Sequence, residues 1–179
     1  MIQNSNILKI AEIFFSEPTR THYLIEISKK SKLAHTSVKN YLTSLKKEGI
    51  IKEILEKRGK RIFPIYTANL ESLKYKQYKK VHNLDKLIHS GLVEFLRDRT
   101  MPRSIVLFGS YSRGEDVEDS DIDIFVESKK QEIGLKSFEK IINKKIELHF
   151  SEKFNSYPRE LKNNILNGDV LYGYLEVFP

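Results

Sequence analysis

Two aspartates, Asp121 and Asp123, close a stretch that begins with the apolar run Ile105 to Phe108 and turns at Gly109-Ser110 and Arg113-Gly114. Side chains of a strand point alternately to its two faces, so a strand through this second run sets Asp121 and Asp123 on one face and Ile122 and Ile124 on the other. Carboxylates placed together repel unless a cation lies between them, and Mg²⁺ takes hard oxygen ligands from one or two carboxylates together with substrate phosphates. The upstream turn has the complementary chemistry. Gly109 allows backbone to approach a ligand closely, and consecutive amides there can form an anion nest. A short helix starting at Ser110 would add a favourable dipole. Ser110 offers a hydroxyl and Arg113 a forked guanidinium, both suited to phosphate oxygens. These residues are those of a metal and nucleotide site holding one or two Mg²⁺ ions.

Each part alone has an ordinary explanation. An acidic pair at a sheet end is commonly a solvated edge, and Gly and Ser are common turn residues. Their succession within one window is harder to explain as surface decoration. A further carboxylate, Glu147, lies in Lys145-Ile-Glu-Leu-His-Phe150, where Ile146, Leu148 and Phe150 alternate with Glu147 and His149. His149 shares a face with Glu147, but a lone His near a strand end is more often structural.

With these residues in hand, the segment resembles the minimal nucleotidyltransferases of the DNA polymerase beta superfamily, prokaryotic proteins of archaeal type. That family carries Gly-Ser, then an Asp-x-Asp, then a third carboxylate on a later strand. Gly109-Ser110 and Asp121-Ile122-Asp123 match the first two, and Glu147 stands where the family more often has Asp. The resemblance covers about Leu84 to Pro179. It implies Asp121, Asp123 and Glu147 as catalytic and metal-binding residues, and Gly109, Ser110, Arg113 and Gly114 as nucleotide-binding ones. It further implies transfer of AMP from ATP, or of another nucleotide from its triphosphate, to a hydroxyl acceptor. That acceptor is a partner protein of the helical HEPN type in toxin–antitoxin pairs of small relatives.

Something must position those residues, and the rest of the chain has the elements. Its 179 residues hold no Cys, which excludes disulfides and thiolate metal sites. The early apolar stretch Ile7 to Phe15 is broken by Lys9 and Glu12, which makes it neither a signal peptide nor a membrane span; a cytoplasmic location is the default expectation. Residues 1 to 100 carry a net charge of +10 and the remainder −3, within the overall +7. A basic front half and an acidic back half point to two domains with different partners.

The front half reads as three helices and a hairpin. Asn4 and Ser5 are possible caps for a helix through Ile7, Ile10, Ala11 and Phe14, stopped by Pro18; a second helix fits Leu24 to Ser31. Val38, Tyr41, Leu42 and Leu45 form a third apolar stripe that Gly49 closes. Strands Ile51 to Lys57 and Arg61 to Thr67 follow, the second demoted to an edge by Pro64. This order resembles a winged helix-turn-helix domain. Its third helix would present Ser37, Lys39, Asn40 and Thr43 to the major groove, with Lys47 on the same face, while Lys57, Arg58, Lys60 and Arg61 at the hairpin tip meet double-stranded DNA phosphate. A winged helix can instead serve only protein contacts.

A helical pattern continues from Leu70 to Arg99, with Leu73, Val81, Leu84, Ile88, Leu92 and Phe95 on its apolar stripe, Lys74, Lys76, Lys79, Lys80 and Lys86 solvated, and a break at Gly91. Past the motif come a helix Leu135 to Lys144 with Phe138, Ile141 and Ile142 inward, the Glu147 strand, a helix Glu160 to Leu166 closed by Asn167-Gly168, and a terminal strand Val170 to Val177 in which Tyr172 and Tyr174 read as packing residues. The fold expected is α+β: a winged helix-turn-helix domain at 1–69, a helical connector at 70–83, and a nucleotidyltransferase α/β domain with a small mixed sheet at 84–179. The competing functional reading is a DNA-binding regulator or antitoxin whose second domain only binds nucleotide.

Overall fold

The computed structural model describes residues 6–152, 154 and 157–177, so the caps expected at Asn4 and Ser5 lie outside the described residues. The chain divides into two units, Met1–Lys79 and Lys80–Pro179.

In the first unit, apolar residues at helical spacing fold into α1 (Asn6–Ser16), α2 (Leu24–Ser31) and α3 (His35–Lys47), with a two-residue strand β1 (His22–Tyr23) between the first two. Ile10, Phe14, Ile27, Val38, Leu42 and Leu45 are buried together in one core. The end of α3 is set by Gly49, whose φ of 74° suits a left-handed residue after the helix cap. Gly49 N–H donates to Lys46 O and Ile50 N–H to Leu45 O, the paired bonds of a Schellman ending. The chain then enters β2 (Ile51–Arg58) and β3 (Arg61–Ala68). Between Arg58 and Arg61 the turn has a positive φ at Gly59 alone, as a type II′ hairpin requires at its first position.

The sheet order is β1-β3-β2, so β3 is central, contrary to the edge position expected from Pro64. The proline is tolerated because β1 pairs only with Ile65 and Tyr66, leaving β3 with a single neighbour, β2, at Pro64 itself.

The connector is α4 (Leu73–His89), and α5 (Leu92–Thr100) follows Gly91, which breaks the helix with φ 74°. The buried face of α4 differs from the expected stripe. Tyr75, Lys79, Asn83 and Leu87 are buried, four residues apart in succession, while Leu73, Val81 and Ile88 are exposed. Leu84, Leu92 and Phe95 of the expected stripe do pack in a core, but polar members of a buried row carry no hydrophobic signal, so the row through Lys79 and Asn83 was not expected, and Lys79 is not the solvated lysine expected.

In the second unit β4 (Ser104–Phe108), the short helix α6 (Gly109–Arg113), β5 (Ile122–Val126), α7 (Lys136–Ile142), β6 (Ile146–Phe150), α8 (Arg159–Leu166) and β7 (Asp169–Gly173) follow. The sheet order is β6-β5-β4-β7, parallel between β5 and β6 and antiparallel elsewhere. One face packs Ile105, Leu107, Ile122, Ile124 and Val126 against Leu87, Leu92, Leu96 and Ile142; the other packs Val106, Phe108 and Phe125 against Phe154 and Ile165. Ile141, expected inward, is exposed, because the short α7 turns only Phe138 and Ile142 to the sheet. The terminal strand stops at Gly173, and Tyr172 and Tyr174 are exposed instead of packed.

His22 is fully buried in the first unit, edge-on to Phe14 at 5.3 Å, and neither ring nitrogen has a hydrogen-bond partner among the described residues. Burial pushes its pKa below the ordinary 6.5; Glu26 and Glu17 pull it back up, and Lys30 and Arg20 add to the lowering. Between the lowered folded value and 6.5 the unfolded chain binds more protons, so stability rises with pH there and is lost on acidification. Denaturant titrations of wild type and His22→Gln should diverge below pH 6.5, the wild type losing stability more steeply. Parallel curves would show that His22 does not titrate differently in the folded chain.

Candidate functional site

The site forms where β4 ends and β5 begins. Phe108 pairs with Asp123 across the antiparallel strands, and Asp123 stands in register with Glu147 on the parallel neighbour β6. Sheet strands run about 4.8 Å apart, so two carboxylates on one face at matched positions are close like charges. The backbone of Gly109 is pressed against the first of them: at φ 76°, a Cβ there would overlap Asp123 Oδ2. Any side chain at this position would push the carboxylate away, and the left-handed conformation also favours Gly.

His149 joins the pair. Its Nε2 lies 3.5 Å from Asp123 Oδ1 and 3.8 Å from Glu147 Oε1. One ligand atom each from Asp123, Glu147 and His149 falls within 4.8 Å of the others. His149 was set aside in the sequence as structural, although its alternation with Glu147 already put both on one face. Asp121 is not in this group. β5 begins at Ile122, and Asp121 sits exposed just before the strand.

The residues around the turn are placed as follows. Ser110 is half-buried in α6, and Gly114 ends that helix in the left-handed conformation with φ 67°. Arg113, expected to grip phosphate, is exposed and donates from Nε to Glu115 Oε2 at 2.8 Å. That bond uses one of the guanidinium's N–H donors and leaves the terminal nitrogens for another acceptor.

The loop leading to Asp121 is held by a residue with no sequence signal. Lys144 Nζ donates to the carbonyls of Val117 at 2.5 Å and of Glu118 and Ser120 at 3.3 Å, and pairs with Asp116 Oδ2 at 3.3 Å. Asp116 is buried and also accepts from Asn83 Nδ2 at 2.8 Å; the same amide group donates to Tyr111 O at 2.9 Å. Burial raises the Tyr111 hydroxyl well above its ordinary range, with Asp116 adding to the rise, so Tyr111 stays a neutral packing group. Lys144 sits in a run of lysines and asparagine, indistinguishable in sequence from its solvated neighbours.

In the first unit Lys39, Asn40 and Thr43 on α3 are exposed and Ser37 is half-buried. Lys57, Lys60 and Arg61 are exposed at the hairpin. Arg58 is engaged: its Nε donates to Glu56 at 2.8 Å, Tyr23 shares the same carboxylate, and the guanidinium lies over the Tyr23 ring at 5.0 Å.

A metal ion fits the donor set of the second unit. Asp123 and Glu147 supply hard oxygens, and His149 Nε2 is shut off from water with no hydrogen-bond partner among the described residues.

Residues 89–171 match the family described as nucleotidyltransferase domain. Over 34 residues the chain is 59% identical to a Methanocaldococcus jannaschii protein named "Putative protein adenylyltransferase", covering 19% of this chain and 34% of that protein. The aligned part is thus about a third of the relative's length. No solved structure matches. No helix among the described residues is long and apolar enough to cross a membrane.

Replacing Lys144 by Met should remove its bonds to the loop and leave Asp116 without its cation. Breaking a buried pair from one side costs about 3 kcal/mol or more. Equilibrium unfolding of Lys144→Met should register a loss of that order. A change under about 1 kcal/mol, the scale of an exposed pair, would mean the loop does not depend on this side chain.

Proposed function

We propose that the second unit transfers a nucleoside monophosphate, AMP from ATP, to a hydroxyl on a partner protein. The observation that carries this reading is Asp123 and Glu147 side by side on β5 and β6 against the backbone of Gly109. The family match over residues 89–171 supports nucleotidyl transfer in general, and the relative's name supports adenylyl transfer to protein.

In this reading Asp123 and Glu147 would hold the divalent ion, Mg²⁺ by family resemblance, with Asp121 just before β5 as the third carboxylate. The bound ion would neutralise phosphate charge and orient the triphosphate. Ser110 and the amides after Gly109 bind the β and γ phosphates, and Arg113 assists through its terminal nitrogens while Nε holds Glu115. The acceptor hydroxyl oxygen attacks the α-phosphorus, the bond to the β-phosphate bridging oxygen breaks, and pyrophosphate departs. The hydroxyl proton passes to a Glu147 carboxylate oxygen, that side chain being 62% exposed and reachable by an incoming group.

With α-labelled ATP and Mg²⁺, the protein or a co-purified partner should become labelled. Asp123→Asn should lower labelling by at least ~100-fold, the upper range for loss of even an outer metal-site partner. Nucleotide binding with no transfer would favour a regulator that only senses ATP. Undiminished labelling in Asp123→Asn would refute the site.

We further propose that the first unit is a winged helix that binds duplex DNA through Lys39, Asn40 and Thr43 of α3, with Ser37 at its edge. Three helices followed by the basic hairpin β2–β3 support this. Lys57, Lys60 and Arg61 are its phosphate contacts, while Arg58 braces the hairpin through Glu56 and Tyr23. The salt dependence of DNA binding should lose about one unit of slope for each phosphate-contacting lysine removed, so Lys57→Ala with Lys60→Ala should reduce it by about two. An unchanged slope would discard this surface.

A further inference from the structure

We propose that His149 supplies a nitrogen ligand to the ion held by Asp123 and Glu147, and that this donor makes the site favour a first-row transition ion such as Mn²⁺ over Mg²⁺. The inference rests on the cation-site reading above and adds to it the identity of one ligand and of the preferred metal.

The distances are those of ligands around a common ion. At 3.5 and 3.8 Å, Nε2 stands too far from Asp123 and Glu147 to hydrogen-bond either. Two ligands each about 2.1 Å from one ion lie ~3.0 to 3.4 Å apart at octahedral or tetrahedral angles. The His149 nitrogen, at 3.5 and 3.8 Å, would reach the wider of those spacings by closing a few tenths of an ångström on each carboxylate. The nitrogen has no competing use, since it is excluded from water and lacks a hydrogen-bond partner among the described residues. Its ring is seated edge-on against Phe108 at 5.1 Å, the residue that precedes Gly109.

A second cluster in the same chain shows what such a group looks like when protein cations serve it. Glu17, His22 and Glu26 also lie within ligand distance of one another. There Lys30 reaches Glu17 at 2.6 Å and Glu26 at 3.3 Å, and Arg20 reaches them at 3.1 and 2.9 Å, so both carboxylates are already neutralised. At Asp123 and Glu147, among the described residues, the only ion-pair partner is His149 itself. Two negative charges and an unused imidazole nitrogen remain for a cation from solution.

The nitrogen decides which cation. Mg²⁺ keeps to oxygen ligands and retains its waters, whereas imidazole suits transition ions, for which affinity rises from Mn²⁺ along the first row. Mn²⁺ accepts carboxylate, phosphate and imidazole alike.

The experiment uses the full chain and Mn²⁺ alone, in a non-coordinating buffer free of nitrogen donors, with binding followed by electron paramagnetic resonance and the ligand nitrogen by electron spin echo modulation. Bound Mn²⁺ should show ¹⁴N modulation that disappears in His149→Gln, with affinity about 10-fold lower, and Mg²⁺ should displace it only in at least ~10-fold excess. Mn²⁺ bound at a site weakened by Asp123→Asn, but without ¹⁴N modulation, would overturn the role of His149 and leave the cation site standing. Binding that Asp123→Asn does not weaken, or no binding at all, would overturn both.

Discussion

The parallel pairing of β5 with β6 is the constraint from which the candidate site follows. It sets Asp123 level with Glu147 on the same face of the sheet, an arrangement that like charges on neighbouring strands oppose. The strands cannot slip to relieve it. A shift of one residue would carry Ile122, Ile124 and Ile146 out of the core they share, exchanging an electrostatic cost for a larger hydrophobic one. The repulsion is therefore a built-in feature of the fold.

Around that pair the fold holds the neighbouring chain in place with polar groups. Gly109 brings backbone against Asp123, and the α6 turn is anchored through Asn83 to Tyr111 and Asp116. Lys144, at the end of α7, ties down the carbonyls of the loop that precedes Asp121. Loop carbonyls have no strand to pair with, so a partly buried lysine satisfies groups that burial would otherwise leave unpaired. The loop end reaches the head of β5 with Asp121 still exposed, which leaves this carboxylate room to move toward the pair.

The sequence disclosed the parts of this architecture that depend on periodic burial. The apolar runs at Ile105 and Ile122 and the stripe of α3 led to elements with closely matching limits, because side-chain alternation and helical spacing are local properties. Three features stayed hidden because they are relations between distant residues. The α4 face built from Tyr75, Lys79, Asn83 and Leu87 mixes polar with apolar groups, so its burial shows only once it has packed. The central position of β3 depends on a two-residue strand too short to read. Asp121 and Asp123 look equivalent in sequence, yet β5 starts between them and gives one a fixed place and the other a loop end. Two of the three arginines expected to bind phosphate, Arg58 and Arg113, have carboxylate neighbours, Glu56 and Glu115, two residues away, a spacing that sequence alone does not mark as contact.

The shape of the second unit bears on the size of the proposed acceptor. Two of its clefts, of about 260 and 470 Å³, are lined by Arg103, Glu127, Lys129 and Tyr174, at the end of β4 and β5 remote from Asp123. Small-molecule sites are concave and bury most of their ligand, and recognition then comes from the walls. Glu147, by contrast, is largely exposed on β6, an edge strand of the sheet. A hydroxyl carried on a protein surface, as in the proposed transfer, could reach a carboxylate so placed and bring its own orienting contacts.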